Sequence, residues 1–254
     1  MDRNNPAYRI ARRAYRETRD LKLYLQWLVF RWRHASANVS APGAITKEEW
    51  VQLDAKEQHL QRCLFELRPQ RFLEIGIGGY PCIPRLRKLR EAGIAYSGCD
   101  FEEVCRIHEA ALGQNGLNVA DFRYLSNKVG TYSWTLMELV NKGEKFDLIY
   151  LDGHHTFYVD LPAVFLAHFL LRPGGYLFLD DIEWTLEFLK GNMSRFYGEW
   201  ALYRNAYDFS EYDEEQQRLC HIRMIAESVM MGQLGYLKDT ERSLEGWWVL
   251  KKPL

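Results

Sequence analysis

The feature that most constrains the fold is an alternation of short apolar runs and helix-compatible segments between residues 71 and 181. In chain order, the apolar runs read RFLEI, AYSGCD, DFRYL, FDLIYLD and YLFLDD. Strands separated by segments of helical length pair in parallel through right-handed crossovers, and helices then cover both faces of the sheet. The alternation therefore predicts a doubly wound, mostly parallel α/β sheet.

The polar residues that stand out in this region fall at the carboxyl ends of the predicted strands. They are residues 74–79, Asp100, residues 152–155, Asp180 and Asp181. Ligands of open parallel sheets bind beyond these strand ends, close to the point where the strand order reverses. The sequence therefore predicts one ligand crevice lined by these residues.

The turn after the first predicted strand reads EIGIGGYP, and it separates the cofactor classes. A dinucleotide-binding turn needs a third glycine where this chain has Pro81, and the G-K-S/T of a P-loop is absent. The pattern E-x-G-x-G-G remains, and its glycines let the backbone approach a ligand closely. Asp100, after the second strand, can accept hydrogen bonds from both hydroxyls of a ribose. The alternative is a plain α/β turn that uses glycine only for its tight geometry.

Three acids, Asp152, Asp180 and Asp181, follow the fourth and fifth predicted strands. Because neighbouring parallel strands end at the same edge of the sheet, these carboxylates converge, and each raises the pKa of the others. A divalent cation relieves the repulsion, and a set of oxygen ligands suits Mg²⁺ better than zinc. Two alternatives remain: Asp152 and Thr156 only cap the following helix, or an acid contacts the cofactor without a metal.

Together, LEIGIGGY, GCD, FDLIYLDGHH and LRPGGYLFLDD resemble the class I S-adenosylmethionine-dependent methyltransferases, over about residues 71–181 and a final hairpin. The resemblance implies a Rossmann-like, mostly parallel, seven-stranded sheet with an antiparallel last strand. That last strand is expected within EGWWVLKK (residues 245–252), and the strand before it within GYLKD (residues 235–239).

The same resemblance implies the cofactor contacts. In this family the glycine turn surrounds the methionine part of S-adenosylmethionine, a role that falls on Glu74, Gly76 and Gly78. The acid after the second strand holds the ribose, a role that falls on Asp100. Asp152, at the end of the fourth strand, is expected to contact the cofactor as well as a metal.

The pattern D-G-x-H followed by two adjacent acids resembles, more narrowly, the metal-dependent sugar O-methyltransferases of the macrocin type. Catechol-type enzymes share the strand-end acids. The resemblance implies that Asp152, Asp180 and Asp181 bind Mg²⁺, and that His155 removes the proton from the attacking hydroxyl. His154 would take this role if the turn differs by one residue. A metal beside an imidazole suits this chemistry, because a sugar hydroxyl is a poor nucleophile at neutral pH.

The predicted function is therefore S-adenosylmethionine-dependent methyl transfer to a hydroxyl of a small molecule, sugar or glycan. The alternative is a protein that binds the cofactor without catalysis and recruits a partner or a membrane through basic N-terminal helices. The D-G-x-H and D-D set favours the enzyme, because a pure binding protein would not need it. An NAD-dependent oxidoreductase is disfavoured by Pro81.

The flanking segments predict two additions to the sheet. Residues 1–68 read as a helical N-terminal extension, rich in basic residues up to residue 33, in front of a domain at residues 69–254. The basic part suits a solvated helix face, a membrane-surface helix or a cradle for an anionic partner. Residues 182–244, rich in aromatic side chains, predict a helical insertion that either packs into the core or forms a lid.

Composition limits the expected partners and cellular location of the protein. The 33 basic and 34 acidic residues give a net charge of -1, so nucleic acid is not an expected partner. Five cysteines without a C-x-x-C pair favour a reducing, cytoplasmic location over a disulfide framework or a zinc ribbon. The apolar stretch LYLQWLVF is far shorter than the roughly 20 residues of a membrane span. A peripheral membrane contact through the N-terminal helix and oligomerisation stay open.

Overall fold

Seven strands build the central sheet of the computed structural model, which describes residues 47–78, 81–127, 131–190 and 209–254. The strands are β1 (Arg71–Ile75), β2 (Ala95–Phe101), β3 (Arg123–Asn127), β4 (Phe146–Leu151), β5 (Leu171–Leu179), β6 (Leu237–Lys238) and β7 (Trp248–Lys251). The first five pair in parallel, and β7 runs antiparallel between β5 and β6. The order β3-β2-β1-β4-β5-β7-β6 confirms the predicted doubly wound sheet with an antiparallel last strand.

Helices connect the parallel strands and cover both faces of the sheet. Among the described residues they include α1 (Lys47–Leu67), α2 (Ile83–Glu91), α3 (Glu102–Gln114), α4 (Ser133–Asn141), α5 (Phe157–Leu170), α6 (Glu214–Gln217) and α7 (His221–Met224). A 3₁₀ turn at Val119–Asp121 precedes β3, and α7 continues as a π-helix over Ile225–Met231. The helices and strands alternate along the chain as the apolar pattern predicts.

Both faces of the sheet are buried, because successive residues of β1 alternate between two apolar clusters. Phe72 belongs to the cluster formed with α1, α2 and α3. Leu73 and Ile75 belong to the cluster on the other face, formed with α4, α5 and α7. The nearly continuous apolar runs of the sequence are therefore explained by a sheet with a helical layer on each side.

Helix α1 is part of the packed core. Its residues Leu60, Cys63 and Leu64 are almost fully buried and belong to the apolar cluster on one face of the sheet. Residues Glu48–Lys190 and Phe209–Leu254 form one compact unit, and this unit contains the helix. The end of the predicted N-terminal extension thus packs into the core of the sheet, and the predicted division of the chain at residue 69 stays a prediction.

Strand β5 begins earlier than predicted, at Leu171 instead of near residue 176. The sequence RPGG, which precedes the apolar run YLFLDD, lies inside β5. Gly174 has φ 73, and the register with β4 shifts between Phe146 and Leu148. A local irregularity of this kind accommodates the proline and glycines without ending the strand.

The predicted insertion at residues 182–244 is only partly helical, because it contains β6 as well as α6 and α7. Of its expected lid, residues 196–207 lie outside the described residues, and so does the basic N-terminal segment up to residue 46. The predicted membrane or partner contact of that segment therefore falls outside the described structure. Among the helices described, none has the length and apolar character needed to cross a membrane.

Candidate active site

The strand order reverses between β1 and β4, and the glycine turn lies at this reversal. Gly76 follows β1 with φ 78, and its amide donates to the Cys99 carbonyl oxygen at 2.9 Å. A Cβ at Gly76 would lie 1.9 Å from the Asp152 carbonyl oxygen, so glycine is required for β1 and β4 to end side by side. At Gly78, where φ is 67, a Cβ would meet no atom of the described residues within 4 Å. Among these residues, the turn is closed toward β4 and open at Gly78.

Asp100, near the end of β2, supports this turn. Its carboxylate accepts hydrogen bonds from the amide of Ile77 at 2.9 Å and from the amide of Phe101 at 2.7 Å. Burial raises the pKa of the carboxyl group, and the amide donors act in the opposite direction. Because a carboxylate offers about four acceptor positions, Asp100 can hold the turn and still accept from a ribose. Its position beside the glycine turn is the predicted one, and the ribose contact stays a prediction.

Glu74 takes part in a buried ion pair. Its side chain is buried, and Arg85 Nη2 donates to both carboxylate oxygens, at 2.6 and 2.8 Å. The Tyr96 hydroxyl donates to the same carboxylate at 2.6 Å. Arg85 also pairs with Glu57 of α1 at 2.9 Å. Both oxygens of Glu74 thus accept hydrogen bonds inside the core, where they tie α2 and β2 to β1, and its cofactor role stays a prediction.

The strand-end acids continue the parallel ladder beyond β4 and β5. The amide of Asp152 donates to the Ile75 carbonyl oxygen at 2.9 Å. The amide of Asp180 donates to the Leu151 carbonyl oxygen at 3.0 Å. Asp181 follows with φ 46, a left-handed conformation that is uncommon outside glycine, and its amide donates to the Asp180 carboxylate at 2.7 Å. The three acids thus gather at one edge of the sheet, as predicted.

His155 reaches the same edge by a route that the sequence did not indicate. Residues 152–155 are not helical, and α5 begins only at Phe157, so His155 lies in the loop between β4 and α5. His155 has φ 61, and its ring is buried. Its Nε2 lies 3.6 Å from Asp152 Oδ1 and 3.8 Å from Asp181 Oδ2. Within the described part of the chain, its Nδ1 has no hydrogen-bond partner.

One ligand atom from each of Asp152, His155 and Asp181 lies within 4.8 Å of the other two, and we call this group the acid cluster. It differs from the predicted ligand set, which contained Asp180 in place of His155. The Asp180 carboxylate instead accepts from the Tyr150 hydroxyl and from the amide of Asp181. Asp180 therefore supports the acid cluster from the buried side, and its role as a metal ligand stays a prediction.

Lys56 of α1 is a member of the site that sequence reasoning missed. Its ammonium group pairs with Asp180 and lies 3.1 Å from Asp181 Oδ1. Burial alone would lower the pKa of Lys56, but the negative charges of three nearby acids, Asp180, Asp181 and Asp152, outweigh it and raise the pKa. One signal was present in the sequence: Lys56 precedes the buried Leu60 by four residues and therefore lies on the same face of the helix.

Burial and repulsion between carboxylates disfavour ionised acids in the acid cluster. Burial and the neighbouring carboxylates raise the pKa of Asp152 well above its usual value and raise the pKa of Asp181 to about 8. Burial lowers the pKa of His155 to about 4, so its imidazole is neutral at pH 7. The Asp152 side chain is 41% exposed, against 14% for Asp181 and 4% for His155. Asp152 is therefore the most exposed member of the acid cluster.

A buried acid of α5, Asp160, holds the loop that carries the histidines. Its carboxylate accepts from the amide of Thr156 at 2.8 Å, from the amide of His154 at 3.2 Å and from the Tyr132 hydroxyl. A Cβ on Gly153 would lie 2.4 Å from both the Asp160 Oδ1 and the Tyr132 hydroxyl oxygen, which explains the glycine of this loop. Thr156 is the N-cap of α5 but makes no side-chain cap bond, so capping alone does not account for the sequence.

The first residues after β5 lie over the imidazole. The rings of Trp184 and His155 have centroids 5.0 Å apart, and Phe188 packs on Trp184 at 5.1 Å. The amide of Trp184 donates to the Asp181 carbonyl oxygen at 3.0 Å. Of the aromatic residues predicted to form a lid, these two are placed beside the site by the structure.

Comparison with known proteins supports the fold. No protein-family model and no curated protein matches the chain. A Staphylococcus aureus protein, provisionally described as a caffeoyl-CoA O-methyltransferase, is similar in structure with a TM-score of 0.51 and 12% identity, over 91% of this chain and 99% of that one. This likeness establishes the fold, which is the one predicted from the sequence.

Two further structures are similar at lower scores. An O-methyltransferase from Bacillus cereus in complex with SAH has a TM-score of 0.48 and 20% identity, over 81% of this chain and 90% of that one. The MycE methyltransferase of the mycinamycin biosynthetic pathway, in complex with Mg and SAH, has a TM-score of 0.45 and 14% identity, over 79% of this chain and 49% of that one.

Proposed function

We propose that the protein is an S-adenosylmethionine-dependent O-methyltransferase that acts, with a divalent cation, on a hydroxyl of a small molecule, sugar or glycan. The observation that carries this proposal is the meeting of Asp152, His155 and Asp181 within 4.8 Å beside the glycine turn. Converging carboxylates and a buried imidazole are costly in a purely structural loop, because burial disfavours each charge and the acids repel one another. Their convergence at the ligand-binding edge favours catalysis over cofactor binding alone.

The residues at the ends of β1 and β2 fit the cofactor. No atom of the described residues lies within 4 Å of a Cβ built at Gly78, so these residues leave room for a ligand close to the backbone. Asp100 adds a carboxylate next to the turn, as a ribose diol requires. Pro81 is incompatible with the third glycine of a pyrophosphate-binding turn, which argues against a dinucleotide. When bound, S-adenosylmethionine supplies the methyl group that is transferred.

The acid cluster fits a divalent cation. Asp152 and Asp181 offer hard oxygen ligands, and the exposure of Asp152 leaves coordination positions for water or a substrate oxygen. This set suits Mg²⁺ if His155 acts as a base. If the imidazole is a ligand instead, it favours a transition metal such as Mn²⁺, because nitrogen ligands suit Mg²⁺ poorly. When bound, the cation lowers the pKa of a hydroxyl group.

His155 is the proposed base. Its Nε2 is the ring nitrogen that faces the acid cluster, and the lowered pKa of about 4 keeps the imidazole neutral, so Nε2 can accept the proton of an acceptor hydroxyl. The carboxylates of Asp152 and Asp181, at 3.6 and 3.8 Å from this atom, then stabilise the imidazolium. Asp160 holds the loop in position, and Trp184 covers the ring and excludes water from one side.

Two measurements test this proposal. Calorimetry with S-adenosylhomocysteine is expected to show binding that is insensitive to EDTA. Transfer of a labelled methyl group from S-adenosylmethionine to a panel of hydroxyl acceptors is expected with Mg²⁺ or Mn²⁺, is lost in EDTA and is restored by the cation. Absence of cofactor binding contradicts the assignment. Full transfer in excess EDTA contradicts the role of the metal alone, and cofactor binding without transfer to any acceptor supports the non-catalytic alternative.

A further inference from the structure

Lys56 brings a positive charge to the acid cluster from a helix that precedes the whole sheet. It shares one helix face with Leu60 and Leu64, which are buried in the core. The next residue, Glu57, pairs with the buried Arg85 at 2.9 Å. The apolar face and this ion pair fix α1 against the sheet, so the fold itself determines that Lys56 reaches the strand ends.

The ammonium group of Lys56 uses a carboxylate that the cation also needs. It pairs with Asp180 and lies 3.1 Å from Asp181 Oδ1. Asp181 is at the same time a member of the acid cluster, with Asp152 and His155. A divalent cation and an ammonium group repel each other, so both cannot bind Asp181 closely without a cost in free energy.

We propose that Lys56 competes with the divalent cation: its ammonium group pairs with Asp180 and Asp181 when no cation is bound, and it leaves Asp181 when a cation enters. This inference rests on the metal site of the proposed function and adds the residue that sets its affinity. The Lys56 side chain is 30% exposed, against 4% for Asp180, so it can swing toward solvent while α1 stays in place. The cation site is consequently weaker than its carboxylates alone would make it.

Binding of Mn²⁺ to the full-length protein, measured by electron paramagnetic resonance without cofactor, tests the competition. Lys56→Met is expected to tighten Mn²⁺ binding by about tenfold or more, because the cation no longer has to displace hydrogen bonds to charged oxygens. Lys56→Arg keeps the charge and is expected to bind Mn²⁺ about as weakly as the wild type. Lys88→Met is the matched control: Lys88 is an exposed lysine whose Nζ donates to Gln61 at 2.9 Å.

Unchanged or weaker Mn²⁺ binding by Lys56→Met overturns the proposal, and so does equal tightening by Lys88→Met. A second measurement uses the wild-type protein and therefore does not depend on the folding of a variant. Acetylation of lysine amines, read by mass spectrometry, is expected to rise several-fold at Lys56 relative to Lys88 when saturating Mn²⁺ is added. No rise at Lys56 overturns the displacement. Neither readout needs methyl transfer, so failure of the competition and failure of the proposed activity are distinguishable.

Discussion

The imidazole of His155 faces the carboxylate of Asp181 at 3.8 Å, and both residues have a left-handed backbone, with φ 61 and 46. This conformation costs a non-glycine residue about 1 kcal/mol or more. It persists here because Asp160 accepts the amides on either side of His155, and the Asp180 carboxylate accepts the amide of Asp181. Two strained residues facing each other are typical of a functional site rather than of a loop optimised for stability.

Asp160→Asn is expected to disturb this arrangement. Asparagine keeps the shape of the side chain but has one acceptor oxygen fewer. The Asp160 carboxylate accepts from the Tyr132 hydroxyl and from the amides of His154 and Thr156, so at least one of these three donors loses its partner in the core. We expect the free energy of unfolding to fall by about 1–3 kcal/mol, and turnover to fall as well, because His155 is no longer held. Urea unfolding and a turnover assay measure both effects.

Tyr132→Phe is the matched control for this substitution, because it removes one donor to Asp160 and leaves both of its oxygens in place. It should lose less stability and less activity than Asp160→Asn. Equal stability of Asp160→Asn and the wild type would show that the loop does not depend on this carboxylate.

The gathering of Asp152, Asp180 and Asp181 could be predicted from the sequence, because it requires only that parallel strands end at one edge. The orientation of each acid could not be predicted. The Asp180 carboxylate turns toward the hydroxyl of Tyr150 on the neighbouring strand, which donates to it. The left-handed φ of Asp181 cannot be recognised from any sequence pattern. Strand periodicity places a residue at an edge, and side-chain partners then decide which way it faces.

The contacts that α1 makes with the strand-end acids could not be predicted from the sequence either. Lys56 and Asp181 are 125 residues apart, and a lysine within a polar helix reads as a solvated side chain. The ion pair of Glu74 could not be predicted either, because a single sequence does not distinguish an acid that binds a ligand from an acid in a buried ion pair. The position of Arg85 beside Glu74 is seen only in the structure.

Asp100→Ala is expected to weaken binding of S-adenosylhomocysteine. The substitution removes the carboxylate that accepts from the Ile77 amide, together with the predicted ribose contact. Loss of hydrogen bonds to a charged group costs about 1.5–3 kcal/mol, or roughly 10- to 150-fold in affinity. Calorimetry measures the change, and Asp100→Asn, which keeps one acceptor oxygen, should lose less. Equal affinity of Asp100→Ala and wild type would contradict a role of this residue in cofactor binding.

Asp181 gives the metal-free protein a pH dependence with a defined sign. Burial and the charge of Asp180 raise its pKa from 3.8 to about 8 in the folded state. The folded protein therefore binds this proton more tightly than the unfolded chain, so the stabilisation is complete below about pH 4 and is lost as the pH rises through about 8. In EDTA, the contribution of Asp181 to the free energy of unfolding should decrease between about pH 4 and about pH 8.

Urea unfolding at several pH values checks this dependence, with Asp181→Asn as the comparison. The substitution removes the titrating carboxyl group of Asp181, and the slope between about pH 4 and about pH 8 should become shallower than in the wild type. Identical slopes would mean that Asp181 titrates normally. Because a bound cation requires the ionised carboxylate, Mn²⁺ affinity should rise over the same pH range.

Substitution of the two neighbouring histidines separates a base from a ligand. If His155 is the base, His155→Ala should lower turnover by about 10²–10⁴ while the affinities for cofactor and Mn²⁺ stay nearly unchanged. His154→Ala is the matched control, since it removes the same side chain from the same loop, and its Nδ1 bonds to Thr156 Oγ1 at 2.9 Å. If His155→Ala also lowers Mn²⁺ affinity by about tenfold or more, the imidazole is a ligand, as its distances to Asp152 and Asp181 allow. Loss of turnover in His154→Ala alone would assign the proton transfer to the other ring.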